Sequence, residues 1–401
     1  MKRAFAILCL LLASVTGFAG DSADQYEQSL LETIRDIQSL NHEQALNSTR
    51  DLIKRFPHSR LGHMLYGDLL LAKAEPLTEI GSGIEVDQAL NDFRYEIQQR
   101  LQHDGSQAHQ ELYPDNILFL AEDQPWVILA DQDSSRAYVY RNVGGDLQLE
   151  TDYFITIGLK GYGKQKRGDQ KTPIGIYHVN RYIDGEELPD LYGAGAFPIN
   201  YPNAWDKRRK RTGSGIWLHG TPSYTYNRSP WASDGCVVLS NPDFVHIGNY
   251  IDPGIYTPVI ITQKINWISR DQWLEKRKRV MQLLSSWIFD WESLDHEKYR
   301  RHYSRDGLSA YGRDFKRWDS HKRWINRNKT WIQVEYDKLS IFNYPGEDGL
   351  MLMQFEQSYR SNNLSINSPK ELYWRDTGKQ WQIVHEGERS FPMLRRDVAE
   401  N

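Results

Sequence analysis

The chain has 401 residues, with 49 Lys+Arg against 53 Asp+Glu and a formal charge of -4. A balance this even lacks the strongly basic domain of a nucleic-acid binder, so no nucleic-acid partner is expected. With 39% hydrophobic residues and no run of about 18 apolar residues beyond the N-terminus, a multi-spanning membrane protein is excluded as well. The length allows two or three domains of roughly 100–200 residues each. The most informative count is the two cysteines.

Residues 1–19 read as a secretory signal peptide: Lys2 and Arg3, an apolar stretch from Ala4 to Leu12, and the small-residue end Gly17-Phe18-Ala19. Cleavage after Ala19 predicts a periplasmic protein, of a Gram-negative type of bacterium, with no transmembrane span left after cleavage. It removes Cys9 and leaves Cys236 as the one cysteine of the mature chain. Exported proteins normally use cysteines in pairs, so a lone one calls for an explanation: free, intermolecular or reactive.

Residues 20–120 are predicted to form a helical module. Leu30, Ile34 and Ile37 recur at helical spacing, as do Leu90, Phe93, Ile97 and Leu101, and two helices end near Pro57 and Pro76. Packing or dimerisation is the role expected of it, and a homodimer is an assembly such a module allows. From Trp126 short β-rich runs begin, separated by turn residues such as Gly144-Gly145, and a last strand is expected at Thr257–Thr262. This predicts a mostly β domain over 124–265, with long loops of the kind that carry catalytic groups. Helical spacing returns at Asp271, and four strand-like segments follow from Trp331 to Glu386, so residues 268–391 read as an α+β domain. The fold class expected is therefore multidomain α+β. The C-terminal layout resembles the cone-shaped nuclear-transport-factor-like fold, which implies binding or dimerisation in the absence of an evident catalytic constellation.

Chemistry concentrates in Gly215-Ile-Trp-Leu-His-Gly-Thr-Pro and, after a loop, Ser233-Asp-Gly-Cys-Val-Val-Leu-Ser. A thiol needs a nearby base to attack at neutral pH, and imidazole is the usual one. His219 closes an apolar strand and Cys236 follows 17 residues later, so they read as base and nucleophile. A turn through Ser233, Asp234 and Gly235 into Cys236 aims successive N–H groups at one point, which makes Gly235 and Cys236 the expected oxyanion donors.

At these residues the chain resembles the L,D-transpeptidase (YkuD-type) catalytic domain family, whose pattern is His-Gly, a spacer, then Ser-x-Gly-Cys. Lys171-Thr-Pro-Ile-Gly-Ile-Tyr177 is similar to the family's Thr-Pro-x-Gly segment. The resemblance covers residues 125 to 264. It implies that Cys236 attacks the meso-diaminopimelate carbonyl of a peptidoglycan stem tetrapeptide and expels D-Ala, with His219 as base and the Gly220 carbonyl orienting the imidazole. An amine acceptor completes transpeptidation. The order of domains also resembles a subgroup that trims tetrapeptides to tripeptides as L,D-carboxypeptidases, with water as acceptor. A non-catalytic wall-binding scaffold is the alternative of another class, and the intact His219 and Cys236 argue against it.

Where many members carry Arg or Asn two residues after the nucleophile, this chain has Val238, so donor recognition must come from elsewhere. The basic run Lys207–Arg211 is a candidate, and Arg211 is counted with Thr221 among possible substrate contacts. Tyr192 and Tyr201, in Gly- and Pro-rich segments, are candidates for a lid over the cleft. His246 reads as a structural histidine. No His-Glu-x-x-His, Cys-x-x-Cys or phosphate-binding Gly-Lys loop occurs, so neither metal nor cofactor is expected.

Overall fold

A computed structural model describes residues 21–73, 88–103 and 111–389. The predicted signal segment with Cys9, together with Pro76, lies outside these residues. The N-terminal part is four helices: α1 (Asp21–Gln38), α2 (His42–Arg55), α3 (Arg60–Leu71) and α4 (Gln88–Gln102). Asn41 caps α2 and Ser59 caps α3, the Ser59 hydroxyl accepting from the Gly62 N–H at 3.0 Å. Leu30, Ile34, Leu52, Leu61, Leu65 and Ile97 form its core, which is the stripe that the helical spacing predicts.

The next two strands, β1 (Leu112–Pro114) and β2 (Ile117–Phe119), leave the helical module to which residues up to 120 were assigned. They pair instead with strands of the C-terminal third. Three residues each are too few to show a period in the sequence.

The β domain follows. Its strands are β3 (Trp126–Asp131), β4 (Arg136–Val143), β5 (Asp146–Phe154), β6 (Ile157–Gly158), β7 (Gly175–His178), β8 (Ile183–Asp184) and β9 (Gly195–Pro198). After the short helix α5 (Ala204–Arg208) come β10 (Trp217–His219), β11 (Trp231–Ser233), β12 (Val237–Val238), helix α6 (Asn241–Ile247) and β13 (Pro258–Thr262). One sheet runs β5-β4-β3-β13-β7 and a second runs β12-β10-β9-β8. Ile128, Val139 and Val259 of the first meet Phe197, Leu218 and Val237 of the second in one buried core. The face of the second sheet turned away from that core carries the site.

The C-terminal third comprises β14 (Trp267–Ser269), α7 (Arg270–Glu292), α8 (His296–Arg300), β15 (Ser309–Ala310), α9 (Phe315–Asn326) and four long strands: β16 (Ile332–Asn343), β17 (Leu350–Ser361), β18 (Leu364–Asp376) and β19 (Trp381–Glu388). A capping box between Ser269 and Gln272 starts α7, which buries Trp273, Val280, Leu284, Trp287 and Trp291 along one face. The sheet order is β15-β19-β18-β17-β16-β2. A bulge between Asp337 and Ser340 breaks the register of β16 with β17, a device that bends a sheet. Within it sits a buried ion pair, Lys370 Nζ to Glu386 Oε1 at 2.7 Å.

The predicted basic run is a clamp between domains. Arg211 pairs with buried Asp206 at 3.0 Å, and both Arg209 (3.4 Å) and Arg211 (3.6 Å) reach Glu347 of the C-terminal domain. Arg208 donates to the Gly307 carbonyl. Trp205 Nε1 donates to Glu347 as well, and its ring stacks on Tyr373 at 5.3 Å.

Candidate active site

Strands β10 and β12 run parallel, with Leu218 opposite Val237 and His219 opposite Val238. Side chains alternate along a strand, so Leu218 and Val237 enter the core while Trp217, His219, Cys236 and Val238 share the other face. Extending the register by one residue sets Cys236 opposite Trp217 and diagonal to His219. With strands about 4.8 Å apart and a rise of about 3.3 Å per residue, diagonal neighbours lie roughly 8 Å apart at Cα, within reach of a ring.

A carbonyl can only accept, so the 2.7 Å contact between His219 Nδ1 and the Gly220 oxygen fixes the imidazole proton on Nδ1. Nε2 is thereby the basic nitrogen, as a thiol proton requires. The ring of Tyr192 meets His219 edge-on at 5.0 Å and leans on Trp217 at 4.8 Å, which makes an aromatic wall. Burial pushes the His219 imidazole down to about 4, against the pull of the Gly220 carbonyl. Burial likewise pushes the half-buried Cys236 thiol up to about 11, offset in part by a backbone hydrogen bond from Trp217 and by Lys164 and Arg228. The resting pair is therefore uncharged at neutral pH, with the Cys236 thiol donating to the Gly215 carbonyl at 3.5 Å.

The Ser233-Asp-Gly-Cys turn is held by its own atoms. Ser233 Oγ donates to the Cys236 carbonyl at 2.8 Å, and Gln170 holds Asp234 at 2.9 Å. Gly235 has φ +123, and a Cβ there would meet the Lys171 carbonyl at 2.7 Å, so glycine is required. Its N–H donates to Ser233 Oγ at 3.1 Å. The expected Gly235 and Cys236 donor pair thus reduces to the Cys236 N–H, because the Gly235 donor closes the turn.

The four further candidates separate. Tyr192 lines the site. Thr221 is buried, its hydroxyl donating to the carbonyls of Thr225 and Tyr226 at 3.2 Å each, so it shapes the loop beyond His219. Tyr201 is buried in the core with its hydroxyl on the Thr212 carbonyl at 3.2 Å, and Arg211 belongs to the domain clamp. The segment read as a lid contains β9, a core strand whose Phe197 packs on Phe244. His246 hydrogen-bonds Tyr153 at 3.0 Å.

Two residues matter that the sequence did not single out. Asn241 Oδ1 accepts from the Ala194 and Thr221 N–H groups at 2.9 and 3.1 Å, and its Nδ2 donates to the Thr221 carbonyl at 2.8 Å. This amide ties the strand end after His219 to the loop carrying Tyr192, and it approaches Gly220 and Gly193 too closely for either to bear a Cβ. Arg228 lies in the loop between base and nucleophile, with its charge felt by both His219 and Cys236.

The helical module holds that loop. Tyr226 donates its N–H to the His58 carbonyl at 3.0 Å and leans its ring on Tyr26 at 4.1 Å, and Asn227 donates to Glu96. Glu27 pairs with Arg136 at 2.7 Å and with Arg100, which ties α1 and α4 to β4.

Residues 125–261 match the L,D-transpeptidase catalytic domain (YkuD), and residues 279–387 match the Cds6 C-terminal NTF2-like domain. The structure of Bd1075 from Bdellovibrio bacteriovorus is 32% identical, with a TM-score of 0.62 over 70% of this chain and 99% of that one. Pgp2, the helical cell shape determining protein of Campylobacter jejuni, shares the fold at 24% identity and a TM-score of 0.57, over 68% of this chain and 95% of its own. YafK of Escherichia coli (strain K12), which carries an L,D-transpeptidase name, is 30% identical over 114 residues, 28% of this chain. The match spans 42% of YafK, so the likeness there is to one domain. Among the described residues no helix is long and apolar enough to cross a membrane. With both family matches in order along one chain and Bd1075 aligned over almost its whole length, this chain belongs to the L,D-transpeptidase (YkuD) domain family, among members that carry an NTF2-like C-terminal domain.

Proposed function

We propose that this chain is a periplasmic cysteine acyltransferase acting on peptidoglycan stem peptides, an L,D-transpeptidase. The observation that carries the reading is the uncharged His219 and Cys236 pair on one face of two parallel strands, with Nδ1 committed to the Gly220 carbonyl. In the acylation step the Cys236 proton passes to His219 Nε2 and the sulfur adds to the diaminopimelate carbonyl, with the Cys236 N–H facing the developing oxyanion. Collapse breaks the amide bond, the imidazolium returns its proton to the departing D-Ala nitrogen, and a thioester remains. An acceptor amine then attacks, giving a proton to His219, and the released sulfur takes it back as thiol.

Hydrolysis of the same thioester by water, giving a tripeptide, is the second reading. It is supported by the order of helical, catalytic and cone-like domains, which resembles the stem-trimming subgroup. Incubation with sacculi and mass spectrometry of the muropeptides separates the two: dimers linked through two diaminopimelates support transfer, and tripeptides without dimers replace it with trimming. Either product persisting in Cys236→Ala would remove the mechanism.

A further inference from the structure

The loop between base and nucleophile is held from two domains at once. On the catalytic side, Val238 exchanges backbone hydrogen bonds with Thr156 at 2.8 and 2.9 Å, and the Thr156 hydroxyl donates to the Arg228 carbonyl at 2.9 Å. The Pro230 carbonyl accepts from the Ile157 N–H at 2.7 Å. On the helical side, the contacts fall on residues that flank Arg228. Asn227 donates to Glu96 of α4 and accepts from the Tyr26 hydroxyl of α1 at 3.3 Å, and the Trp231 ring meets that of Tyr95 at 5.3 Å. Glu96 is buried and accepts from Arg100 at 3.0 Å, so the carboxylate that α4 offers to Asn227 is itself fixed.

This clasp pins the Arg228 backbone and leaves its side chain uncommitted. The guanidinium is half-buried and makes no ion pair with any of the described residues; the charges that act on it are those of Tyr224, Asp234 and Cys236. A cation there disfavours imidazolium at His219 and favours thiolate at Cys236, so it keeps the base free and eases the loss of the thiol proton. Two other charges act on the thiol. Lys164 works in the same direction but is paired with Asp169 at 2.7 Å, and Asp234 works against both.

We infer that Arg228 serves as the cation of the candidate active site, and that Asn227, held by Glu96 and Tyr26, is the positioning residue that keeps it beside the nucleophile. The inference rests on the reading of Cys236 as nucleophile and deepens it. The helical module is then a working part of the site, since α1 and α4 set where a charge stands relative to the thiol.

The test uses the full chain and follows alkylation of Cys236 by iodoacetamide at pH 9, read on the Cys236 peptide by mass spectrometry, with D-Ala release from a stem tetrapeptide as second readout. Arg228→Gln should slow alkylation about fivefold, Arg228→Lys should restore most of the rate, and Asn227→Ala should slow it about threefold. Tyr26→Phe, which removes only a hydroxyl from the clasp, should slow it about twofold and serves if Asn227→Ala fails to fold. In the Arg228→Gln background either change should cost less than about 1.5-fold more, because its effect passes through the missing cation. D-Ala release should fall in the same order. An Arg228→Gln protein alkylated as fast as the wild type would overturn the role of Arg228. Losses of equal size with and without Arg228 would make Asn227 merely structural and overturn its positioning role. If the wild type releases no D-Ala, the acyltransferase reading fails, while the alkylation rates still decide this inference.

Discussion

Two buried pairs of titratable groups in this chain behave in opposite ways. At the candidate active site, His219 and Cys236 are both driven to their neutral forms, the imidazole down to about 4 and the thiol up to about 11. In the C-terminal domain, Lys370 and Glu386 are buried more deeply yet remain charged, with the Lys370 ammonium raised and Glu386 held down at about 2. Burial disfavours charge in both places. Only the second pair starts from groups that are each charged at neutral pH and meet at 2.7 Å, where their attraction outweighs the loss of water. The first pair gains charge only by passing a proton between its members. A pair of that kind changes charge with its surroundings, whereas the ion pair is a fixed part of its core.

The strongest way to break the contrast is to remove a member of the catalytic pair. Cys236→Ala should reduce turnover at least about 10⁴-fold, and His219→Gln should come close to it, while both variants keep their cavity uncharged and melt near the wild type. Next, Lys370→Met should destabilise the fold by about 3 kcal/mol in urea titration, since it leaves the buried Glu386 charge with only Lys322 and the Tyr303 hydroxyl to offset its burial. Adding Glu386→Leu should recover much of that loss. A Lys370→Met protein as stable as the wild type would show that this pair is not held charged.

A smaller effect tests the neutral pair by pH. Acylation needs unprotonated His219, whose folded pKa is depressed, so its acid limb should fall near pH 4 rather than near the ordinary histidine value of about 6.5. Alkylation by a small neutral reagent, which reports thiolate already present, should still be rising at pH 10. An acylation limb near 6.5 would mean that the imidazole is better solvated than the structure has it. The smallest change expected is Asn241→Ala. It should lower kcat about tenfold, roughly 1.4 kcal/mol, by freeing the Thr221 and Ala194 segments, with acid and alkaline limbs unmoved.

The residues that carry the chemistry were legible because they are local. His219-Gly220 ends an apolar strand, and Ser233 to Cys236 is a turn whose requirements are written in consecutive residues. The long strands from Ile332 to Glu388 and the α7 helix were legible for the same reason, since their periods run over many positions. What the chain order hid are contacts made by topology. Asn241 serves Thr221 across 20 positions, and Arg211 finds Glu347 far downstream, so no window of sequence shows either pairing. The Gly235 donor was misplaced for a subtler reason: a turn of that composition offers its N–H either to a ligand or to the Ser233 hydroxyl, and only coordinates distinguish the two.

Glu347 takes contacts from Arg209, Arg211 and Trp205 of the catalytic domain, and with the Arg208 to Gly307 bond and the Trp205–Tyr373 stack beside it the NTF2-like domain is bolted to the catalytic domain at several points. A tethered domain explores a volume set by its linker, whereas a bolted one delivers its neighbour at a single bearing and reach. Whatever surface the C-terminal domain grips, the thiol of Cys236 is presented to it at a constant offset.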